Sequence, residues 1–185
     1  MALEHAILVS LAEKSASGYD LARRFDLSIG FFWRATHQQI YKVLARMETA
    51  GWVAATTVEQ TGRPAKKMYV PTDDGRTELT RWTAEPTPIE TVRSDFAVKV
   101  RGMRFGDRDA VLADIARQRA AHVERLAYYE TDAAKRYPEP DLLTDAELPT
   151  YLVLRGGIRT ERTYIEWCDE MLETLGQRTP AEEKT

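Results

Sequence analysis

The sequence predicts a mainly α chain in two parts: three helices, a β-hairpin and a fourth helix over residues 1–85, then an all-α segment over 86–185. Three observations carry this. Apolar residues recur at helical steps through most of the chain. Residues 52–70 depart from that period, with two short strand-like runs around a Gly-Arg-Pro bend. Glu85-Pro86-Thr87-Pro88 then places two prolines in three residues, which stops a helix and holds the chain extended.

The elements follow in order. Leu3, Ile7 and Leu11, with Ala6 and Leu8 beside them, form the stripe of a short amphipathic helix. Ser15, Ser17 and Gly18 break it, and Ser17 is placed to cap a second helix carrying Tyr19, Leu21 and Phe25. Gly30 and Phe31-Phe32-Trp33 form a connector. Thr36-His37-Gln38-Gln39 fits a capping box, in which the Thr hydroxyl accepts from an amide three residues on and Gln39 reaches back. Ile40, Val43, Leu44 and Met47 are the buried stripe of this third helix, and Trp33 extends that line as a packing wedge, as Trp52 and Trp82 do elsewhere. Gly51 stands where a left-handed cap belongs. Residues 52–58 and 66–70 pair as hairpin strands with a turn-like 59–64 between them. Pro71 ends the hairpin, and Thr72 caps a fourth helix containing Leu79 and Trp82, its first turn weakened by Gly75.

Beyond the prolines, Val92, Phe96 and Val100 mark one helix. Asp107 caps another running to about Tyr137, roughly 45 Å at 1.5 Å per residue, which Pro138 and Pro140 end. The last helix begins near Asp145. Its Tyr151, Leu154, Ile158, Ile165, Cys168, Leu172 and Leu175 fall on alternating steps of three and four, interrupted by Glu161, with Leu148, Leu152, Trp167 and Met171 widening the stripe. A seam of this length suits either a partner chain or the other long helix. Three helices over some hundred residues make a thin core, which favours a homodimer. Residues 177–185 are expected to fray.

Composition limits the function classes. The 185 residues are 43% hydrophobic and 30% charged, as in globular proteins. No apolar run approaches the ~20 residues that span a bilayer. The N-terminal stretch has Glu4 and His5 where a signal peptide is basic. A single cysteine, Cys168, excludes an internal disulfide and is expected to be buried and inert. The chain is therefore expected in the cytoplasm, with no membrane partner. Its net charge of -3 argues against a general nucleic-acid coat. Charge is uneven, however. Arg34, Lys42, Arg46, Arg63, Lys66 and Lys67 face only Glu48 and Glu59 within residues 34–67, a local basic patch of the kind a phosphate-facing surface needs.

Helix, helix, helix, basic hairpin is the plan of a winged helix-turn-helix, in which a helix enters the major groove and a β-ribbon lies along the neighbouring backbone or minor groove. At ~100° per residue, the face of the third helix opposite its buried stripe carries Gln38, Lys42, Ala45 and Thr49, with Arg34, Tyr41, Gln39 and Arg46 on the flanks. It carries no acid. Gln can bond adenine edges, while Lys and Tyr can meet phosphate or guanine. Lys42 and Arg46, one turn apart, suit a phosphate strand. At the hairpin tip, Gly62 allows a tight bend, Arg63 reaches outward and Pro64 stiffens the approach. Lys66 and Lys67 point to opposite faces of the return strand, so one of them is expected to meet DNA. A solvated helix face and an edge guarded by lysines are the competing readings.

Four segments in this order resemble the PadR family of bacterial transcriptional regulators. They are Leu3-Glu4-His5-Ala6-Ile7-Leu8, Ser17-Gly18-Tyr19-Asp20-Leu21, Ile40-Tyr41 through Leu44, Met47-Glu48 and Gly51-Trp52-Val53, and Gly62-Arg63-Pro64-Ala65-Lys66-Lys67-Met68-Tyr69 with Thr72-Asp73-Asp74-Gly75. They cover residues 1–85, and the helical tail is similar to the longer-tailed branch of that family. The resemblance implies a homodimeric winged-helix repressor that binds a double-stranded DNA operator, dimerises through residues 86–185 and is released by a small aromatic or phenolic effector. Tyr41 matches the family's recognition-helix tyrosine, and Gly62-Arg63-Pro64 with Lys66-Lys67 match the wing tip. His37, Gln38 and Gln39 fall on variable recognition positions. Such a regulator would associate with the nucleoid when bound, at half-sites about 34 Å apart on a palindrome.

Candidate effector residues are Phe96, Met103, Tyr128, Tyr164 and Trp167, with Arg93 or Arg155 to pair a carboxylate; core or dimer packing is the plainer role for each. No enzyme and no cofactor are expected. His5, His37 and His122 lie far apart, no metal-ligand spacing occurs, and no phosphate-binding glycine loop or nucleophile elbow is present. Asp73-Asp74 suits a helix dipole better than acid–base work. The rival functions are a winged-helix protein–protein adaptor and a small-molecule-binding protein without sequence-specific DNA binding, since fold alone decides neither.

Overall fold

The computed structural model describes residues 2–27, 35–60, 63–89 and 93–176. It divides into two compact units, Met1–Glu90 and Thr91–Thr185. The expectations placed on Gly30, Phe31, Phe32, Trp33, Arg34, Gly62, Val92 and residues 177–185 lie outside the described residues, as do the side chains of Arg63 and Pro64.

The first unit runs α1 (Ala2–Glu13), β1 (Ala16–Ser17), α2 (Gly18–Leu27), α3 (His37–Thr49), β2 (Val53–Gln60), β3 (Arg63–Pro71) and α4 (Asp73–Thr83). The strands form an antiparallel sheet in the order β1-β3-β2. The hairpin is longer than the sequence implied, and Ala16–Ser17 adds a strand too short to carry a period. Ile7, Leu8, Leu11, Leu21, Phe25, Ile40, Leu44, Met47, Val53 and Tyr69 make one core. Tyr19, by contrast, faces solvent.

The caps form as the residues dictate. Thr36 Oγ1 accepts from the Gln39 amide at 3.2 Å, and Gln39 Oε1 accepts from the Thr36 amide at 2.8 Å. Gly51 has φ +76°, a conformation other residues adopt only with strain. Gly75 acts differently from the expected weak point. It is buried in the first turn of α4, against the Trp52 backbone and Leu8. Thr72 donates its amide to the Trp52 carbonyl at 3.0 Å and caps the Gly75 amide at 3.1 Å. A Cβ there would meet the Trp52 carbonyl group, so glycine is what lets α4 close on the α3–β2 turn.

The second unit holds α5 (Asp95–Arg101), a 3-10 turn at Met103–Phe105, α6 (Arg108–Arg136), a 3-10 turn at Pro140–Leu142 and α7 (Leu148–Gly176). Ser94 and Asp107 cap α5 and α6. The Leu148 amide already donates to the Thr144 carbonyl, so the first turn of α7 starts near Asp145. The seam of α7 is spent within the chain: Leu154, Ile158, Cys168 and Met171 are buried, and α7 packs on α6. Glu161, which breaks the apolar series, is buried as well, and pairs with His122 and with Arg125 at 3.3 Å. Among the apolar residues left exposed in this unit are Val98, Phe105, Val123, Tyr128 and Leu142, and on α7 itself Leu148, Leu152 (57%) and Val153. No described helix is long and apolar enough to cross a membrane.

Candidate nucleic-acid interface

The third helix, α3, presents the face its periodicity implied. Ile40, Val43, Leu44 and Met47 are buried, and His37, Gln38, Gln39, Tyr41, Lys42, Ala45, Arg46 and Thr49 are exposed. Their availability differs. Gln38, Tyr41 and Lys42 make no polar contact among the described residues. Gln39 gives its carbonyl oxygen to the cap, accepting from both the Thr36 amide and hydroxyl, which leaves only its NH2 group to offer.

Arg46 departs from the expected phosphate track beside Lys42. Its guanidinium reaches back to Glu4 of α1, whose carboxylate is itself buried. A buried carboxylate needs such a partner, so Arg46 is tied to the fold. Both wing lysines are tied too. Lys66 pairs with Asp20 of α2 at 2.6 Å, and Lys67 with Glu48 of α3 at 2.8 Å. The two do project to different faces, because successive residues of β3 alternate: Lys67 follows Tyr69 toward α3, its ammonium 5.4 Å from that ring, and Lys66 follows Met68. Hydrogen bonding to Lys66, then to Ser17, holds the Asp20 carboxyl below the usual carboxylate range. Hydrogen bonding to Glu48 raises the Lys67 ammonium.

Tyr41 is placed by a glycine. Its ring lies against Gly18, the first residue of α2, where a Cβ would stand 2.9 Å from Cδ1 and closer still to Cε1. The Ser17-Gly18-Tyr19-Asp20 turn thereby touches β3 twice and α3 once. Ser17 pairs with Met68 of β3, Gly18 receives Tyr41 of α3, and Asp20 holds Lys66. Sequence reasoning took Ser17 and Gly18 as a cap and a breaker and passed over Asp20. The Ser-x-x-Asp spacing was the signal, since Asp20 closes a reciprocal cap: its amide donates to Ser17 Oγ at 3.1 Å, and its carboxylate accepts from that hydroxyl at 2.9 Å.

The seven effector candidates do not gather in one place. Phe96 and Trp167 meet edge to face at 5.6 Å, with Tyr164 6.0 Å from Trp167 and Met103 buried in the same cluster. Tyr164 also stacks on His122 at 4.5 Å. Tyr128 stands against Tyr129 farther along α6, and burial pushes its hydroxyl up. Arg155 donates to the Tyr151 hydroxyl at 3.2 Å, about 18 Å along α7 from Trp167 at 1.5 Å per residue. Arg93 is exposed ahead of α5. Cys168 is fully buried, and burial raises its thiol.

Residues 7–81 match the model of the PadR-like family of transcriptional regulators, and residues 92–176 match that of the virulence activator alpha C-terminal domain. The probable transcriptional regulator Rv1176c of Mycobacterium tuberculosis is 50% identical over 188 residues, covering 96% of this chain and 100% of that protein. PadR of Bacillus subtilis, a negative transcriptional regulator, is 32% identical over 175 residues, covering 92% and 95%. Its structure in complex with operator DNA covers 95% of this chain and 99% of its own at 30% identity, with a TM-score of 0.82. Its structure with p-coumaric acid covers 96% and 100% at 28% identity, with a TM-score of 0.76.

Proposed function

Because the chain belongs to the PadR-like family of transcriptional regulators, we propose that it is a repressor acting as a homodimer on a palindromic double-stranded DNA operator, released by a small aromatic or phenolic effector. The observation that carries the reading is the outer face of α3, where Gln38, Tyr41 and Lys42 stand exposed and uncommitted beside the wing. Gln38 and His37 read base edges, Tyr41 and Lys42 meet phosphate or guanine, and Gly62-Arg63 lead the wing to the backbone. Residues 1–85 bind DNA; residues 86–185 dimerise and take the effector. The protein works in the cytoplasm, on the nucleoid when bound.

The operator complex and the p-coumaric acid complex of the Bacillus relative support DNA binding and effector release by analogy. Leu148, Leu152 and Val153 support the dimer, since they remain exposed after α6 has covered the seam. Phe96, Tyr164 and Trp167 support an aromatic ligand, because they present faces and edges in one cluster. The ligand acts by binding the DNA-incompetent dimer better than the competent one.

The test is fluorescence anisotropy with the duplex upstream of the chain's own gene and with random duplex, titrated with salt. Tyr41→Ala and Arg63→Ala are expected to weaken operator binding while the dimer stays intact by light scattering. Lys42→Ala is expected to make the dependence of log affinity on log salt shallower by about 0.9 per protomer, about 1.8 for the dimer. Wild-type affinity in both of the first two variants would move the DNA face elsewhere, and no salt-dependent binding by the wild type would leave the adaptor reading.

A further inference from the structure

The basic patch at the wing and third helix is charge-compensated from within. Of its cations, Lys42, Arg46, Lys66 and Lys67 have described side chains, and three of these four hold a carboxylate. Two of the three carboxylates, Glu4 and Asp20, come from outside the basic stretch of sequence. Arg46 is needed where it is, because Glu4 is buried. The wing pairs have no such structural excuse. Lys66, Asp20, Lys67 and Glu48 all keep between 32% and 50% of their side-chain surface exposed. Exposed pairs of this kind add little to stability.

Resting on the DNA-binding reading above, we infer that Asp20 and Glu48 are internal substitutes for DNA phosphate, each occupying a wing lysine in the free protein and holding down its sequence-independent affinity for the backbone. Asp20 is suited to this because it is fixed without the lysine. The Ser17 hydroxyl and amide donate to its Oδ2 at 2.9 and 3.4 Å, so Lys66 comes to a carboxylate already in position. Glu48 lies one strand face away, near the C-terminal end of α3, and does the same for Lys67.

The physical consequence is a smaller electrostatic term. A lysine already neutralised by a carboxylate has fewer counterions to exchange when it meets phosphate, and the carboxylate repels the phosphate that approaches. DNA contact by Lys66 or Lys67 must displace or share that pair. Lys42, which has no carboxylate among the described residues, contributes its full charge. Sequence-independent binding depends on charge alone and is held down, while base contacts by α3 keep the operator attractive.

The experiment measures affinity of the full chain for random duplex between about 50 and 200 mM salt, for the wild type, Asp20→Asn and Glu48→Gln. Asn keeps the oxygen that caps with Ser17, and Glu48 is at a solvated position, so thermal melts should match the wild type. Each variant is expected to bind random duplex several-fold more tightly at low salt. Each should also steepen the salt slope by about 0.9 per protomer, about 1.8 for the dimer, so that its affinity falls about 12-fold further than that of the wild type across this range. An unchanged slope in either variant overturns the inference. So does weaker binding, which would mean that the carboxylates hold the lysines ready for DNA. If the wild type itself binds without salt dependence, the DNA-binding reading falls, and that outcome is distinct from wild-type binding that the variants leave unaltered.

Discussion

Gly18→Ala tests whether α2 sets the pose of Tyr41. The new Cβ would stand 2.9 Å from Tyr41 Cδ1 and 3.1 Å from Cζ, against an ordinary carbon contact of 3.4–4 Å. The Gly18 backbone is fixed by the β1–β3 pairing beside it, so the ring must yield. Tyr41 is 48% exposed and can swing outward at modest cost. Stability should therefore change by under about 1 kcal/mol, since alanine also gains some helix propensity. Function should suffer more. A hydrogen bond to a charged phosphate is worth about 1.5–3 kcal/mol, and displacing its donor by about 1 Å should forfeit much of that. A loss of about 1–2 kcal/mol corresponds to roughly 5- to 30-fold weaker operator binding. Anisotropy titrations on a double-mutant cycle with Tyr41→Ala isolate the coupling. If Gly18 acts through Tyr41, Gly18→Ala should weaken the Tyr41→Ala protein by less than about twofold. Equal penalties in both backgrounds, or no penalty in the wild type, would refute the argument.

Gly75→Ala should destabilise the first unit by about 1–3 kcal/mol despite alanine's higher helix propensity, because the added carbon meets the Trp52 carbonyl group and forces α4 off its cap; a thermal melt that rises would overturn the close-approach account. Glu78 gives a pH-dependent contribution. Arg81, then His5, hold its carboxyl down to about 2 from an ordinary 4.5. Its stabilisation is thus complete above about pH 4.5 and is lost as pH falls toward 2. The difference in melting temperature between wild type and Glu78→Gln should accordingly shrink between pH 6 and pH 2.5, and a constant difference would show that the carboxylate's charge is not what matters.

What the sequence made legible is local. The capping box at Thr36, the left-handed Gly51 and the caps at Ser17, Thr72 and Asp107 all depend on residues three or fewer apart, and each appears where its chemistry places it. The buried stripe of α3 follows equally from its period. What stayed hidden depends on partners distant in sequence. Glu4 meets Arg46 across 42 residues, and Asp20 meets Lys66 across 46, so a charge count over 34–67 saw a basic patch without its counter-charges. Gly75 looked like a propensity defect because the Trp52 carbonyl it admits is not its sequence neighbour. Glu161 looked like a break in a seam, and only its position against His122 and Arg125 reveals a buried polar cluster within the α6–α7 pair.

Three long-range contacts of the first unit converge on one four-residue turn. Ser17 joins it to β3, Gly18 seats Tyr41 from α3, and Asp20 receives Lys66 from the wing. Thr72 and Gly75 fasten α4 onto the α3–β2 turn from the other side. The α3 face and the wing are thus held to each other by backbone pairing and close packing, which do not bend by degrees. A ligand that remodelled this face would have to break several such contacts together. In the proposed dimer the economical variable is instead the spacing between the two copies of α3, which must match half-sites about 34 Å apart. A change of spacing leaves each reading face intact while removing their joint fit, so an effector can act from residues 86–185 without touching a single group that meets DNA.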